Sequence, residues 1–175
     1  MNNIFPIFIE SHFLRAFNEM YEKNYLDDPA TACCIYLIIA IGARSTMQMT
    51  VAATHFTAAW SFYDALVASP YIMSVQALIL MVNFSTSCCW LDANLSQTIE
   101  LMNCNKEGQA ILAIGTAIHI AQSLGLHRSL SIHKHPHERG FVQKNYNFRT
   151  CIWWTCYCLD KWVFVFCAIG VRRQN

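Results

Sequence analysis

The run from Ala30 to Ala43 carries no charge, opens on Asp28-Pro29 and stops at Arg44. Asp28 can accept from the free backbone N–H groups of a first helical turn, and Pro29 fits the first helical position, where no N–H is needed. The pattern predicts a helix from Pro29 to about Ala43. It is apolar nearly all round, so it needs cover on every side, which predicts a central place in a helical core. The run is too short to cross a bilayer, which takes about 20 mostly apolar residues. The stretch from Cys151 to Val171 is long enough, yet Asp160 and Lys161 fall in its middle, where each is costly in lipid. A small helical membrane-associated protein therefore stands only as the alternative reading. Asn2, Asn3 and Pro6 at the start do not resemble the basic start and apolar stretch of a signal peptide.

Other helices follow from the spacing of apolar residues. A first is expected from about Glu10 to Lys23, on Phe13, Phe17 and Met20 or Tyr21. A third is expected from Met49 to Ala68, on Ala52, Phe56, Ala59 or Trp60, Tyr63 and Val67, ended by Ser69-Pro70. A fourth, from about Ile72 to Phe84, carries Val75, Leu78, Ile79 and Val82 on one face. Between Ser85 and Asn105 the apolar residues keep no steady period, leaving room for a short helix around Leu95 to Met102. A fifth, from about Lys106 to Leu124, has Ile111, Ile114, Ile118 and Ala121 on one face. Gly125 then supplies the left-handed residue that closes a helix, with Leu126 as its apolar cap. The loop from Ser129 to Gln143 is polar and rich in histidine, and a last helix is expected from near Asn147, carrying Trp153, Trp154, Tyr157 and Leu159. No segment alternates as a strand does. The fold class is all-α, an irregular multi-helix bundle.

A chain of 175 residues suits one domain. It is 55% hydrophobic and 13% charged, against a usual charged share of roughly 25%. Such a surface-poor composition fits an incomplete domain whose missing part covers this one. Net charge is +1, and the only compact basic group, Arg128 to Arg139, is mostly histidine broken by Pro136 and Glu138. A DNA-binding domain shows a basic stripe, so direct DNA binding is not expected. Nine cysteines include the adjacent pairs Cys33–Cys34 and Cys88–Cys89, and Cys151, Cys156 and Cys158 in one aromatic run. They read as buried reduced thiols that pack as small hydrophobes, which implies a reducing, intracellular location.

Chemistry-bearing constellations are thin. His133, His135 and His137 alternate in a loop and are the best metal candidate, since three imidazoles can converge on zinc. Lys134, Pro136 and Glu138 beside them read instead as an ordinary solvated loop. His55 and His119 lie on expected helices and read as satisfied surface or interface histidines. Phosphate loops, nucleophile elbows, paired carboxylates and His-Glu-x-x-His are all lacking, so no enzyme activity and no catalytic residue is expected.

Two late stretches are more specific. Ala117 to Arg128 reads Ala-Ile-His-Ile-Ala-Gln-Ser-Leu-Gly-Leu-His-Arg, and Phe148 to Lys161 reads Phe-Arg-Thr-Cys-Ile-Trp-Trp-Thr-Cys-Tyr-Cys-Leu-Asp-Lys. Together they resemble the two signature stretches of the regulatory domain of fungal binuclear zinc cluster transcription factors, the middle homology region. Softer matches fall in order upstream: Phe5-Pro6-Ile7, Ala40-Ile41-Gly42-Ala43 and Ser74-Val75-Gln76-Ala77-Leu78. The resemblance covers most of Phe5 to Lys161. It implies residues 5–161 as the N-terminal part of that domain, with 162–175 as a divergent apolar tail.

The resemblance implies an all-helical regulatory or effector module of a nuclear transcription factor, lacking its own DNA-binding zinc cluster. The nine cysteines hold no Cys-x-x-Cys pair of the kind a six-cysteine cluster needs. Zinc is therefore expected only in a fused cluster outside this chain, DNA only through that segment, and no cofactor within the chain itself. A small-molecule inducer or a protein co-regulator is the implied partner, and no membrane. The signature residues, read as structural, are Gln122, Gly125, Leu126, His127, Arg128, Arg149, Trp153, Trp154, Tyr157, Asp160 and Lys161. The chain departs from the family at Ser123, where Asp is usual, and at Arg149, all that is left of a basic run. It also lacks a Gly-Arg-Pro turn after Lys161. That last departure predicts a truncated product with apolar surface left uncovered.

Three contacts are expected around the last helix. Trp154, Tyr157 and Lys161 share one helical face, and Trp153, Tyr157 and Asp160 the adjoining one. The tryptophan pair is expected in the core, because large aromatics bury the most area per residue. Arg128 and Asp160 are expected to form a partly buried ion pair between the fifth helix and the last.

Overall fold

The computed structural model describes the backbone of residues 7–8, 10–23, 27–91, 100–128 and 139–173, with side chains over 7–8, 11, 13–22, 27–87, 108–128 and 147–165. Among the described residues seven helices follow in chain order: α1 Glu10–Lys23, α2 Pro29–Ser45, α3 Met49–Trp60, α4 Tyr63–Ala68, α5 Ile72–Leu91, α6 Glu100–Ser123 and α7 Arg139–Arg173. Among the described residues there is no strand, and the chain is all-α. None of these helices is long and apolar enough to cross a membrane, among the same residues.

Local chemistry sets the start of α2. Asp28 accepts from the Thr31 N–H at 3.0 Å and from the Thr31 hydroxyl, while Pro29 occupies the first turn. Its inner residues, Cys33, Cys34, Ile35, Leu37 and Ala40, are almost fully buried. The two thiols donate to the carbonyls of Ala59, at 3.4 Å, and Met73, at 4.0 Å.

The expected third helix is broken into α3 and α4 at Ser61–Phe62. The Ser61 hydroxyl donates to the Ala58 carbonyl at 2.7 Å, and the Phe62 N–H turns to Ala59, three residues back, at 3.2 Å. Serine competing for local backbone groups in this way favours a turn over helix continuation. The break lets Phe62 stack on Tyr36, with centroids 6.1 Å apart, and Trp60 on Tyr63 at 5.2 Å.

Among the described residues α2 is central as expected, and α5 is still more enclosed. Every residue from Ser74 to Val82 is buried, so Leu80 and Met81 are covered along with the expected face of Val75, Leu78, Ile79 and Val82. α5 packs on α2, α6 and α7, while α3 lies mainly on α2. Two of its buried polar residues are tied to backbone carbonyls. Ser74 donates to Ser69 O at 3.2 Å, and the Gln76 amide donates to the carbonyl of buried Ile7. That last bond joins two of the upstream segments that carried the family resemblance.

Three helices run longer than their periodicity suggests. α5 continues past Phe84 to Leu91, α6 starts at Glu100 instead of Lys106, and α7 starts at Arg139, inside the expected loop, instead of Asn147. The backbone is helical through Leu91, although the apolar residues keep no steady period after Ser85. α7 also carries on past Lys161 to Arg173 without a break. Most of the possible helix around Leu95 to Met102 lies outside the described residues.

Candidate functional site

The two late signature stretches meet where α6 ends. The Leu126 N–H bonds to the Ala121 carbonyl at 2.9 Å and the Gly125 N–H to the Gln122 carbonyl at 2.9 Å. Together these are the paired closing bonds of a glycine-terminated helix, and they need the left-handed backbone of Gly125, φ 67°. Leu126 is then turned inward and buried, while the side chain of Gln122 stays exposed.

The carbonyl of Leu124, which the helix itself leaves unsatisfied, accepts from Arg149 Nη2 of α7 at 3.0 Å. A cation at a helix C-terminus also meets the negative end of the macrodipole. Beside it, His127 packs on Trp153 of α7 with ring centroids 5.6 Å apart. Ile152, Cys156, Leu159 and Val163 continue the contact inward into the core. Arg149 thus joins a positive side chain on one helix to an orphan carbonyl on another, and the corner is a structural clamp.

Two expectations fail here. Arg128 does not pair with Asp160: it is exposed, and Asp160 bonds instead to its neighbour Lys161 at 2.8 Å. Arg149 supplies the link between the helices. The tryptophan pair also splits. Trp153 is half-buried against the core, whereas Trp154 is 55% exposed. Adjacent helical residues point about 100° apart, so one narrow core face does not hold both. Trp154 instead lies edge-on to Tyr157 at 5.6 Å, and the Lys161 ammonium sits 5.3 Å over the Tyr157 ring. Those three residues form an outward row.

The remaining candidates are quiet. His133, His135 and His137 lie outside the described residues. His55 Nδ1 bonds to the Val51 carbonyl at 2.8 Å, and His119 is exposed. Among the described residues no group of three or more His, Cys, Asp or Glu is placed to hold a metal. Cys33, Cys34, Cys151, Cys156 and Cys158 are free thiols. Burial pushes Cys33 and Cys156 up to about 12 and Cys34 well above its ordinary value. Such thiols hold their protons at neutral pH and are poor nucleophiles.

Arg44 marks the end of the apolar run, yet it is buried, donating through Nη1 to the Phe84 carbonyl at 2.9 Å. Its guanidinium lies 5.2 Å over the Phe84 ring, which stacks in turn on Phe56 at 4.4 Å. Together with Ile41, Ser45, Met47 and Ser87 it lines an open cavity of about 350 Å³. The available signal was an arginine in the last turn of a helix apolar all round, where every face meets protein.

A family model described as the fungal specific transcription factor domain matches residues 1–167. No curated protein and no solved structure gives a significant match.

Proposed function

The chain belongs to the fungal specific transcription factor domain family, and we propose that it is a regulatory or effector module of a transcription regulator acting in the nucleus. The observation that carries this reading is the family match across residues 1–167. The clamp at the α6–α7 corner supports it, because it uses Gly125, Leu126, His127, Arg149 and Trp153, all from the two signature stretches.

In this reading the chain performs no chemistry. The buried thiols hold their protons, and the histidines on α3 and α6 sit at the surface or bond locally. DNA would be reached only through a zinc-cluster segment outside this chain, and zinc would belong to that segment. A small-molecule inducer or a protein co-regulator would act by favouring one packing of the helices over another, through its different affinity for the two.

A tethering assay tests the module. The chain is fused to an unrelated DNA-binding domain and transcription from a reporter carrying that domain's site is measured. The fusion is expected to raise or lower the reporter relative to the DNA-binding domain alone, and Arg149→Ala is expected to shift the effect by loosening the corner. A reporter indifferent to both fusions, at equal protein level in the nucleus, overturns the reading.

A further inference from the structure

The last helix has two opposed faces. Inward, Ile152, Cys156, Leu159 and Val163 are buried. Outward, the positions Asn147, Cys151, Trp154, Cys158, Lys161 and Val165 recur at alternating steps of four and three, the spacing of a coiled-coil seam. Tyr157, Trp162 and Phe164 flank that seam, at 44%, 57% and 75% exposure. Of all the exposed residues between Asn147 and Val165, only Lys161 is charged.

We propose that this outer face docks a second copy of the chain, the two α7 helices packing side by side and antiparallel. Area argues for a partner of this size. An aromatic side chain can bury 150–250 Å², so Trp154, Tyr157, Trp162 and Phe164, each about half exposed or more, leave on the order of 450 Å² of aromatic surface in water. Val165, Cys151, Cys158 and the stem of Lys161 extend the face toward the roughly 800 Å² per partner of a specific interface. Lone monomers rarely expose so continuous an apolar patch.

Charge argues for the direction. Parallel helices in register would bring Lys161 against Lys161 of the second copy. In the antiparallel order every seam position finds a partner, with Trp154 against Cys158, Val165 against Asn147 and Lys161 against Cys151. The two ammonium groups then lie on opposite sides of the twofold axis, each still bonded to its own Asp160 at 2.8 Å.

The test uses the whole chain in reducing buffer. Sedimentation equilibrium is expected to give twice the 20.0 kDa of one copy. The double variant Trp154→Asp with Val165→Asp is expected to sediment as a single copy with unchanged far-UV circular dichroism, since both side chains are exposed. Val67→Asp on α4, also exposed, is expected to keep the doubled mass. A wild-type chain that stays at one copy across the concentration range overturns the proposal, whatever else then covers this face. So does association that the double variant leaves intact. With an added oxidant, Trp154→Cys is expected to crosslink to Cys158 of the second copy. Crosslinks from Cys158 to Cys158 in the wild-type chain overturn the antiparallel order.

Discussion

Arg149→Ala is the sharpest perturbation of the α6–α7 corner. Its Nη2 donates at 3.0 Å to the Leu124 carbonyl in a partly buried setting. A hydrogen bond to a charged group contributes about 1.5–3 kcal/mol, and a cation at a helix C-terminus about 0.3–1 kcal/mol. Both describe one contact, so they overlap, and the loss is expected to be about 2 kcal/mol. For a domain near this size each kcal/mol moves Tm by about 2–4 °C, which gives a fall of about 4–8 °C. Arg149→Lys keeps the cation without the planar fork and is expected to lose about half as much. Arg128→Ala removes an exposed side chain and is expected to stay within about 0.5 kcal/mol of wild type. Urea unfolding followed by circular dichroism, with unchanged m, measures all three. If Arg149→Ala stays within that same margin, the clamp contributes nothing. If Arg128→Ala costs as much as Arg149→Ala, the arginine holding the corner has been assigned to the wrong helix.

Other perturbations separate backbone, capping and thiol contributions. At Gly125 a Cβ would meet only Arg128 Cδ, at 3.7 Å, so Gly125→Ala is expected to cost the left-handed conformation alone, about 1–2 kcal/mol by urea unfolding. Asp28→Ala removes the α2 cap and is expected to cost about 1 kcal/mol in the same assay. Burial raises the Asp28 pKa, but hydrogen bonds from Thr31 and Tyr71 outweigh it and hold the group below its ordinary 3.8. Its contribution is therefore complete above that value and lost as pH falls through the lower folded one. Asp28→Asn is expected to flatten the stability profile as pH falls below the ordinary 3.8 of this carboxyl. Among the described cysteines, a thiol reagent on the single-copy Trp154→Asp, Val165→Asp chain, mapped by mass spectrometry, is expected to label exposed Cys158 first and Cys151 next. Cys33, Cys34 and Cys156 are expected to react only after unfolding, and native labelling of Cys156 would contradict its burial between α7 and the core.

Helix ends were the most legible part of this chain, because their chemistry is local. Asp28-Pro29 and Gly125-Leu126 announce a start and a stop within a few residues, and the backbone obeys both. The α3–α4 break was not legible. Ser61 is an ordinary helix-surface residue by spacing, and only its bond to Ala58 and the stacking of Phe62 on Tyr36 favour the turn. α5 was legible only in part: Val75, Leu78, Ile79 and Val82 mark one face, whereas Leu80 and Met81 are buried as well and its backbone runs on to Leu91 past the last periodic residue. The Trp153–Trp154 split was available from helical geometry alone, since neighbours on a helix face different directions. At the corner, both arginines lie in signature stretches. Chain order does not encode which reaches across, since that depends on how α7 is rotated against α6. Arg44 was hidden because a charge at the end of an apolar run reads as a boundary, not as a buried group capping a stack of phenylalanines.

The corner also gives one side chain leverage over two helices. Leu124 is held by Arg149 and His127 by Trp153, so the rotation of α7 against the end of α6 is fixed by side chains of the two signature stretches themselves. The inward row Ile152, Cys156, Leu159 and Val163 lies on the same helix as Arg149. A change at this corner is therefore carried along α7 into the core, not confined to the helix end where it starts.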